Sequence, residues 1–220
     1  MREWFAGKSV CIVGGAQALF DQALGEEIDS YDVVCRLNGG AEIVKPESQG
    51  TRNDVWGIGK WWTVDHLFAK CSWGKAIHLS PKGEYMRYCS TCGDIYRKGM
   101  KKWYVETDEV HPVYDIVMPK TVYQQMGELY VKNTDEKKVK YSHMNSDMKA
   151  PRKVIKASTG LLMAYYTSIN LPKSITLYGF DWKRTPTWYF DEKEYNKAHQ
   201  PHDWEWEEWF IKEVLDVRIK

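Results

Sequence analysis

Short runs of β-branched and aliphatic residues, each closed by glycine or a polar turn, alternate with longer mixed segments along the first eighty positions. Ser9-Val10-Cys11-Ile12-Val13 runs into Gly14-Gly15, and Asp32-Val33-Val34-Cys35-Arg36-Leu37-Asn38 runs into Gly39-Gly40. Asp54-Val55-Trp56-Gly57-Ile58 and Ala76-Ile77-His78-Leu79 repeat the pattern. Such near-continuous apolar runs suit strands covered on both faces, and glycines let each stop in a tight turn. A helix is predicted from about Ala16 to Ile28 and a short one from about Val64 to Lys70. Strand, helix and strand in alternation predict right-handed crossovers and an α/β fold with a mostly parallel sheet.

From about Pro81 to Arg152 the pattern weakens. One strand is predicted at Val113 to Met118 and one helix at Val122 to Tyr130; the rest reads as insertions and surface loops. Regularity returns with Ser158-Thr159-Gly160, which opens a helix running to about Asn170. The strand Ile175-Thr176-Leu177-Tyr178 follows, ending in Gly179-Phe180-Asp181, and a last helix spans about Asp203 to Leu215.

At 220 residues, with 43% hydrophobic positions, the chain suits one domain with its own core. Thirty-one Lys and Arg against 30 Asp and Glu leave no basic excess for a nucleic-acid surface. No apolar run approaches the ~18 residues of a membrane span, and the start lacks a secretory signal. The expectation is a cytoplasmic protein, neither anchored nor exported. Five cysteines are sparse and odd in number, and Cys11 and Cys35 sit inside strand-like runs as small core residues. Eleven tryptophans suit either a core or a sugar-facing cleft.

In an open α/β sheet ligands bind beyond the carboxyl ends of the strands. Four polar or glycine-rich turns fall there: Gly14-Gly15, Asn38-Gly39-Gly40, Gly57 to Lys60, and Gly179-Phe180-Asp181. The first lacks both the GxGxxG spacing of a dinucleotide site and the Lys-Ser/Thr of a Walker A loop, so it is either a nucleotide contact or only a tight turn. Ser158-Thr159-Gly160 at a helix start fits an anion, or simply an N-cap. His202 precedes an acid-rich helical turn and is a candidate general base, or a capping histidine; His199 lies close by. Cys89-Ser90-Thr91-Cys92 with Cys71 and His78 could supply four zinc ligands, though a lone CxxC is a poor predictor. No Asp-x-Asp triplet occurs to hold a divalent ion against a diphosphate donor.

Taken together these segments resemble a known family. Val10 to Asn38, with Ile12-Val13-Gly14, Glu27 to Val34 and Arg36-Leu37-Asn38, resembles the large sialylmotif of the eukaryotic-type sialyltransferases, and Gly50 to Trp56 looks like its continuation. Ala157 to Leu162, through Leu177-Tyr178-Gly179-Phe180, is similar to the small sialylmotif. His202 with Glu207 matches the very small motif, His-x-x-x-x-Glu. The stretch from about Cys71 to Lys156 has no match.

The resemblance implies a single Rossmann-like catalytic domain over residues 1–220, with acceptor-side insertions at about 81–152. It implies inverting transfer of sialic acid from CMP-sialic acid to a glycan hydroxyl, with no metal and no cofactor beyond the donor. Gly14, Gly15, Asn38, Ser158, Thr159, Gly160, Gly179 and Phe180 would hold the CMP-sugar, and His202 would be the base. There are departures. Gly15 stands where the family has Asn, and Trp188-Tyr189-Phe190-Asp191 replaces a histidine-led motif, leaving Trp182, Trp188 or Tyr189 to donate a hydrogen bond instead. The family's cysteine pair is missing, with Cys11 displaced by one position and Leu171 at the second site, which points to a soluble enzyme. Alternatives are a different CMP-linked sugar, or a CMP- or glycan-binding protein without transfer activity.

Overall fold

The computed structural model describes residues 2–41, 43–58, 75–78, 86–89, 94–97, 116–117, 120–133, 157–188 and 202–220. After a short helix α1 (Arg2–Phe5) come the strands β1 (Ser9–Val13), β2 (Val33–Leu37), β3 (Val55–Ile58), β4 (Lys75–His78), β5 (Met86–Cys89) and β6 (Asp94–Arg97). β7 (Ile116–Val117), β8 (Ser174–Tyr178) and β9 (Arg218–Ile219) complete the set. Seven of these form one sheet in the order β7-β4-β3-β2-β1-β8-β9, parallel at every junction. The expected parallel α/β architecture is therefore the observed one.

The chain winds outward from β1 through β2, β3 and β4 to β7, then returns to place β8 on the other side of β1. That reversal makes the β1/β8 junction the topological switch point, where ligands of open α/β sheets bind.

Alternation along the strands feeds two cores. Val10, Ile12, Val33, Cys35, Leu37, Ile175 and Leu177 pack on one face against α4 (Lys120–Lys132), α5 (Thr159–Ser168) and the last helix, α6 (Trp204–Glu213). Cys11, Val13, Val34 and Tyr178 turn to the other face and meet Leu19 and Ile28. α4 contributes Val122, Met126 and Tyr130, one stripe at four-residue spacing. α5 buries Leu161, Leu162, Met163, Ala164, Tyr166 and Thr167, nearly its whole circumference, as a helix held between a sheet and another helix must.

The sequence expectation of one helix from Ala16 to Ile28 is corrected. A 3-10 turn, Gln17–Asp21, is followed by an extended Gln22 and a separate helix α2 (Gly25–Asp29). Two contacts explain the break. The Phe20 carbonyl accepts from Lys45 Nζ at 2.6 Å and from Ser48 Oγ at 3.2 Å, so it is satisfied from outside the helix. Gly25 is pressed so closely on α3 (Pro46–Gln49) that a Cβ would lie 2.1 Å from the Pro46 carbonyl oxygen.

The weakly patterned middle also holds two strands not anticipated, β5 and β6, paired antiparallel in a second sheet. The predicted strand at 113–118 is observed over Ile116–Val117, and the predicted helix at 122–130 extends to Lys120–Lys132. The short helix expected near Val64 to Lys70 lies outside the described residues.

Cys11 and Cys35 are free and buried on opposite faces of the sheet, as core residues. Burial pushes the Cys11 thiol up to about 12 and the Cys35 thiol well above its ordinary value, which leaves both inert. Cys71 and Cys92 lie outside the described residues; among those residues no cluster of three or more His, Cys, Asp or Glu could hold a metal ion. Nor is any described helix long and apolar enough to cross a membrane.

Candidate functional site

At the switch point β1 and β8 close on one another. Gly14 N–H donates to the Tyr178 carbonyl at 2.7 Å and Ala16 N–H to the Gly179 carbonyl at 3.2 Å. A Cβ on Gly14 would lie 2.4 Å from the Gly179 oxygen and 3.0 Å from the Phe180 ring, so a side chain cannot enter without backbone movement. Gly179 itself has φ +65, a conformation that glycine adopts without strain. Gly14→Ala is therefore expected to destabilise the fold by about 1–3 kcal/mol, read as a lower urea midpoint. An unchanged midpoint would show that the two strand ends can part freely.

The loop after β8 folds back over this turn. Trp188 N–H donates to the Gly15 carbonyl at 3.1 Å, Gln17 N–H to the Pro186 carbonyl at 2.9 Å, and Thr187 pairs antiparallel with Ala16. The Trp188 ring rests on Phe20 with centroids 5.7 Å apart. Trp182 turns elsewhere: Lys212 Nζ of α6 sits 5.0 Å from its ring centroid and the Arg184 guanidinium 5.7 Å. Arg184 also pairs with Glu208 of α6 at 2.5 Å, so the loop joins the glycine turn to α6. Tyr189 lies outside the described residues.

A second line of contacts runs from the end of β2 to α6. Asn38 leaves β2 with φ +46, a conformation Asn tolerates better than most residues. Its carbonyl accepts from Trp56 Nε1 at 2.9 Å, and its Nδ2 donates to Thr159 Oγ1 at 3.1 Å. Ser158 caps α5, its Oγ accepting from Leu161 N–H at 3.1 Å. Gly160 faces Phe180 so closely that a Cβ would lie 2.8 Å from the ring, which links this line to the glycine turn.

Glu207 forms the joint. Its Oε1 accepts from Ser158 N–H at 2.8 Å, and its Oε2 lies 2.5 Å from Ser158 Oγ. Its Oε1 also lies 3.8 Å from His202 Nδ1, beyond direct hydrogen-bond reach but close enough to couple electrostatically. The Glu207 side chain is 3% exposed and that of His202 18%. Burial pushes the Glu207 carboxyl up to about 8, with Asp203 adding to the rise and the two Ser158 contacts opposing it. Asp203 caps α6, accepting from Trp206 N–H at 3.3 Å through Oδ1 and from Tyr130 O–H at 2.9 Å through Oδ2. His202, just ahead of this cap, lies against Trp204 with ring centroids 4.8 Å apart.

The fold thus brings together Gly14, Gly15, Asn38, Ser158, Thr159, Gly160, Gly179, Phe180 and His202, and sets Trp188 beside them. Glu207, paired with His202 in the sequence motif, stands with them, as do two side chains that sequence reasoning did not place in the site, Lys183 and Thr187. Glu207 left a trace in the helical pattern, since Glu207, Phe210 and Ile211 share the inward face of α6. A carboxylate at a core position demands a polar partner. Lys183 and Thr187 left none, because a loop has no period to read.

No family model matches the chain, and no curated sequence matches it. Solved structures that share its fold include two of mammalian sialyltransferases. A crystal structure of a mammalian sialyltransferase in complex with Gal-β-1-3GalNAc-ortho-nitrophenol superposes with a TM-score of 0.58 at 13% identity, covering 100% of this chain and 71% of that one. A second crystal structure of a mammalian sialyltransferase gives 0.58 at 12% identity, covering 97% and 69%. At this identity the likeness is one of fold.

Proposed function

We propose that this chain is a sialyltransferase-like glycosyltransferase that moves sialic acid, or a related acidic sugar, from a CMP-activated donor to a glycan hydroxyl. The observation that carries the reading is the continuous line Asn38–Thr159–Ser158–Glu207–His202 at the carboxyl edge of the sheet. It sets a histidine beside a helix N-terminus and a two-glycine turn, which is the equipment for a base, an anion and a nucleotide. The sialyltransferase fold of its neighbours supports the same reading.

In this mechanism the acceptor hydroxyl attacks the anomeric carbon of the donor sugar as the bond to the CMP phosphate oxygen breaks. His202 takes the hydroxyl proton, and CMP leaves with the bonding electrons. A single displacement inverts the configuration. The α5 N-terminus, with the Ser158 and Thr159 hydroxyls, meets charge on the leaving phosphate without a metal. Nδ1 is the imidazole nitrogen nearer Glu207, so the reading assigns Nε2 to the acceptor. Glu207 holds the ring in place and couples it to the phosphate-side helix through Ser158.

The test is calorimetric titration with CMP against UMP, followed by CMP release from CMP-sialic acid in the presence of glycan acceptors. Selective CMP binding with acceptor-dependent release is the expected result. Binding without release would make the chain a CMP-binding protein on this fold, and binding of neither nucleotide would overturn the proposal.

A further inference from the structure

The loop that leaves β8 and folds over the Gly14–Gly15 turn carries a lysine held in an unusual setting. Lys183 Nζ donates to Thr187 Oγ1, and Thr187, only 4% exposed, is the residue that pairs with Ala16 next to the two glycines. Antiparallel partners stand roughly 5 Å apart at Cα. The ammonium is therefore carried to the rim of the glycine turn by its own loop.

The backbone is strained to put it there. Trp182 and Lys183 both adopt left-handed conformations, φ +52 and +65, which a residue with a side chain adopts only at a cost. Asp181 holds this geometry: its Oδ1 accepts from Lys183 N–H at 3.0 Å, and its Oδ2 accepts from Thr185 N–H at 2.7 Å and from the Thr185 hydroxyl. The Asp181 carboxylate is thus committed to the loop backbone and the Thr185 hydroxyl. Consecutive strained residues that the surroundings over-determine mark places where conformation serves a function.

Resting on the CMP-donor reading above, we propose that Lys183 is the cation that meets the phosphate of the nucleotide at the Gly14–Gly15 turn, and so distinguishes a nucleotide from its nucleoside. A lysine ammonium is a compact point charge suited to phosphate. Burial pushes the Lys183 ammonium down to about 8, with Asp181 pulling the other way, so a neighbouring phosphate would stabilise its charged form. The Gly14, Ala16 and Gln17 N–H groups are already given to backbone carbonyls, so a phosphate at this turn calls for a side-chain cation; the α5 start offers hydroxyls, and Lys183 supplies the full charge that they do not.

Titration of the wild-type protein and of Lys183→Met with CMP and with cytidine tests this. A charge-assisted hydrogen bond contributes about 1.5–3 kcal/mol, so Lys183→Met should weaken CMP binding on the order of 10–100-fold and leave cytidine unchanged. Lys183→Arg should recover part of the loss. Thr187→Val, which removes only the hydroxyl holding the ammonium, should weaken CMP severalfold and serves if Lys183→Met fails to fold. Equal CMP-to-cytidine preference in wild type and Lys183→Met overturns the assignment while leaving the CMP-donor reading intact. Failure of the wild type to bind either compound overturns both.

Discussion

His202→Ala should lower turnover by about 10²–10⁴-fold, the usual contribution of a positioned general base, while CMP affinity stays within about twofold. The separation follows from the geometry. His202 precedes the cap of α6 and its imidazole couples to the site through Glu207 Oε1 at 3.8 Å, whereas the Ser158 contacts to Glu207 do not involve it. Truncation should therefore leave the α5–α6 joint and the glycine turn in place. Steady-state rates with a saturating CMP-sugar, alongside calorimetry with CMP, check both halves. Full turnover in the variant would move the base to another residue, and a parallel loss of CMP affinity would make His202 a binding residue instead.

Glu207 should give the largest pH effect on stability. Its folded carboxyl is raised from 4.5 to about 8, so between these values the folded state binds more protons than the unfolded state. Stability from this group is fully present below pH 4.5 and is lost as pH rises through about 8. A tenfold difference in proton affinity between the two states corresponds to about 1.4 kcal/mol, so the loss across the window is on the order of 3–5 kcal/mol. Gln can accept from Ser158 N–H and donate to Ser158 Oγ, as the protonated acid does, so Glu207→Gln should fold and flatten the dependence. Glu207→Ala should do worse at every pH, since it strips a buried N–H and hydroxyl of their partner. Urea midpoints at pH 5, 7 and 9 decide; a flat wild-type profile would mean that the Ser158 contacts keep the carboxylate ionised throughout.

The parts of the fold legible beforehand were those with a period or an end signal. β1, β2, β3 and β8 announce themselves because strands covered on both faces are apolar throughout, and α5 because Ser158 caps an almost wholly apolar run. Misreadings came where distant contacts overrule local preference. Residues 16–28 look helical by composition, yet Lys45 and Ser48 take the Phe20 carbonyl and Gly25 must lie against Pro46, so the segment breaks in two. The strands β5 and β6 pair with each other outside the main sheet, a partnership that neither run declares alone.

The candidate site divides along the same line. Residue type and order alone determined that glycine turns end β1 and β8, that Asn38 ends β2, that hydroxyls open α5 and that His202 stands ahead of α6, because each is a local feature of a strand end or a helix start. Only the tertiary structure decided that these ends meet. The return crossover brings β8 against β1 and so Gly179 against Gly14, and packing of α6 on α5 buries Glu207 between Ser158 and His202. The loop that carries Lys183 to Thr187, beside Ala16, belongs to the same category. Hydrogen bonds and desolvation at these contacts depend on distances between residues as far apart in the chain as Gly15 and Trp188, and a one-dimensional pattern does not encode those distances.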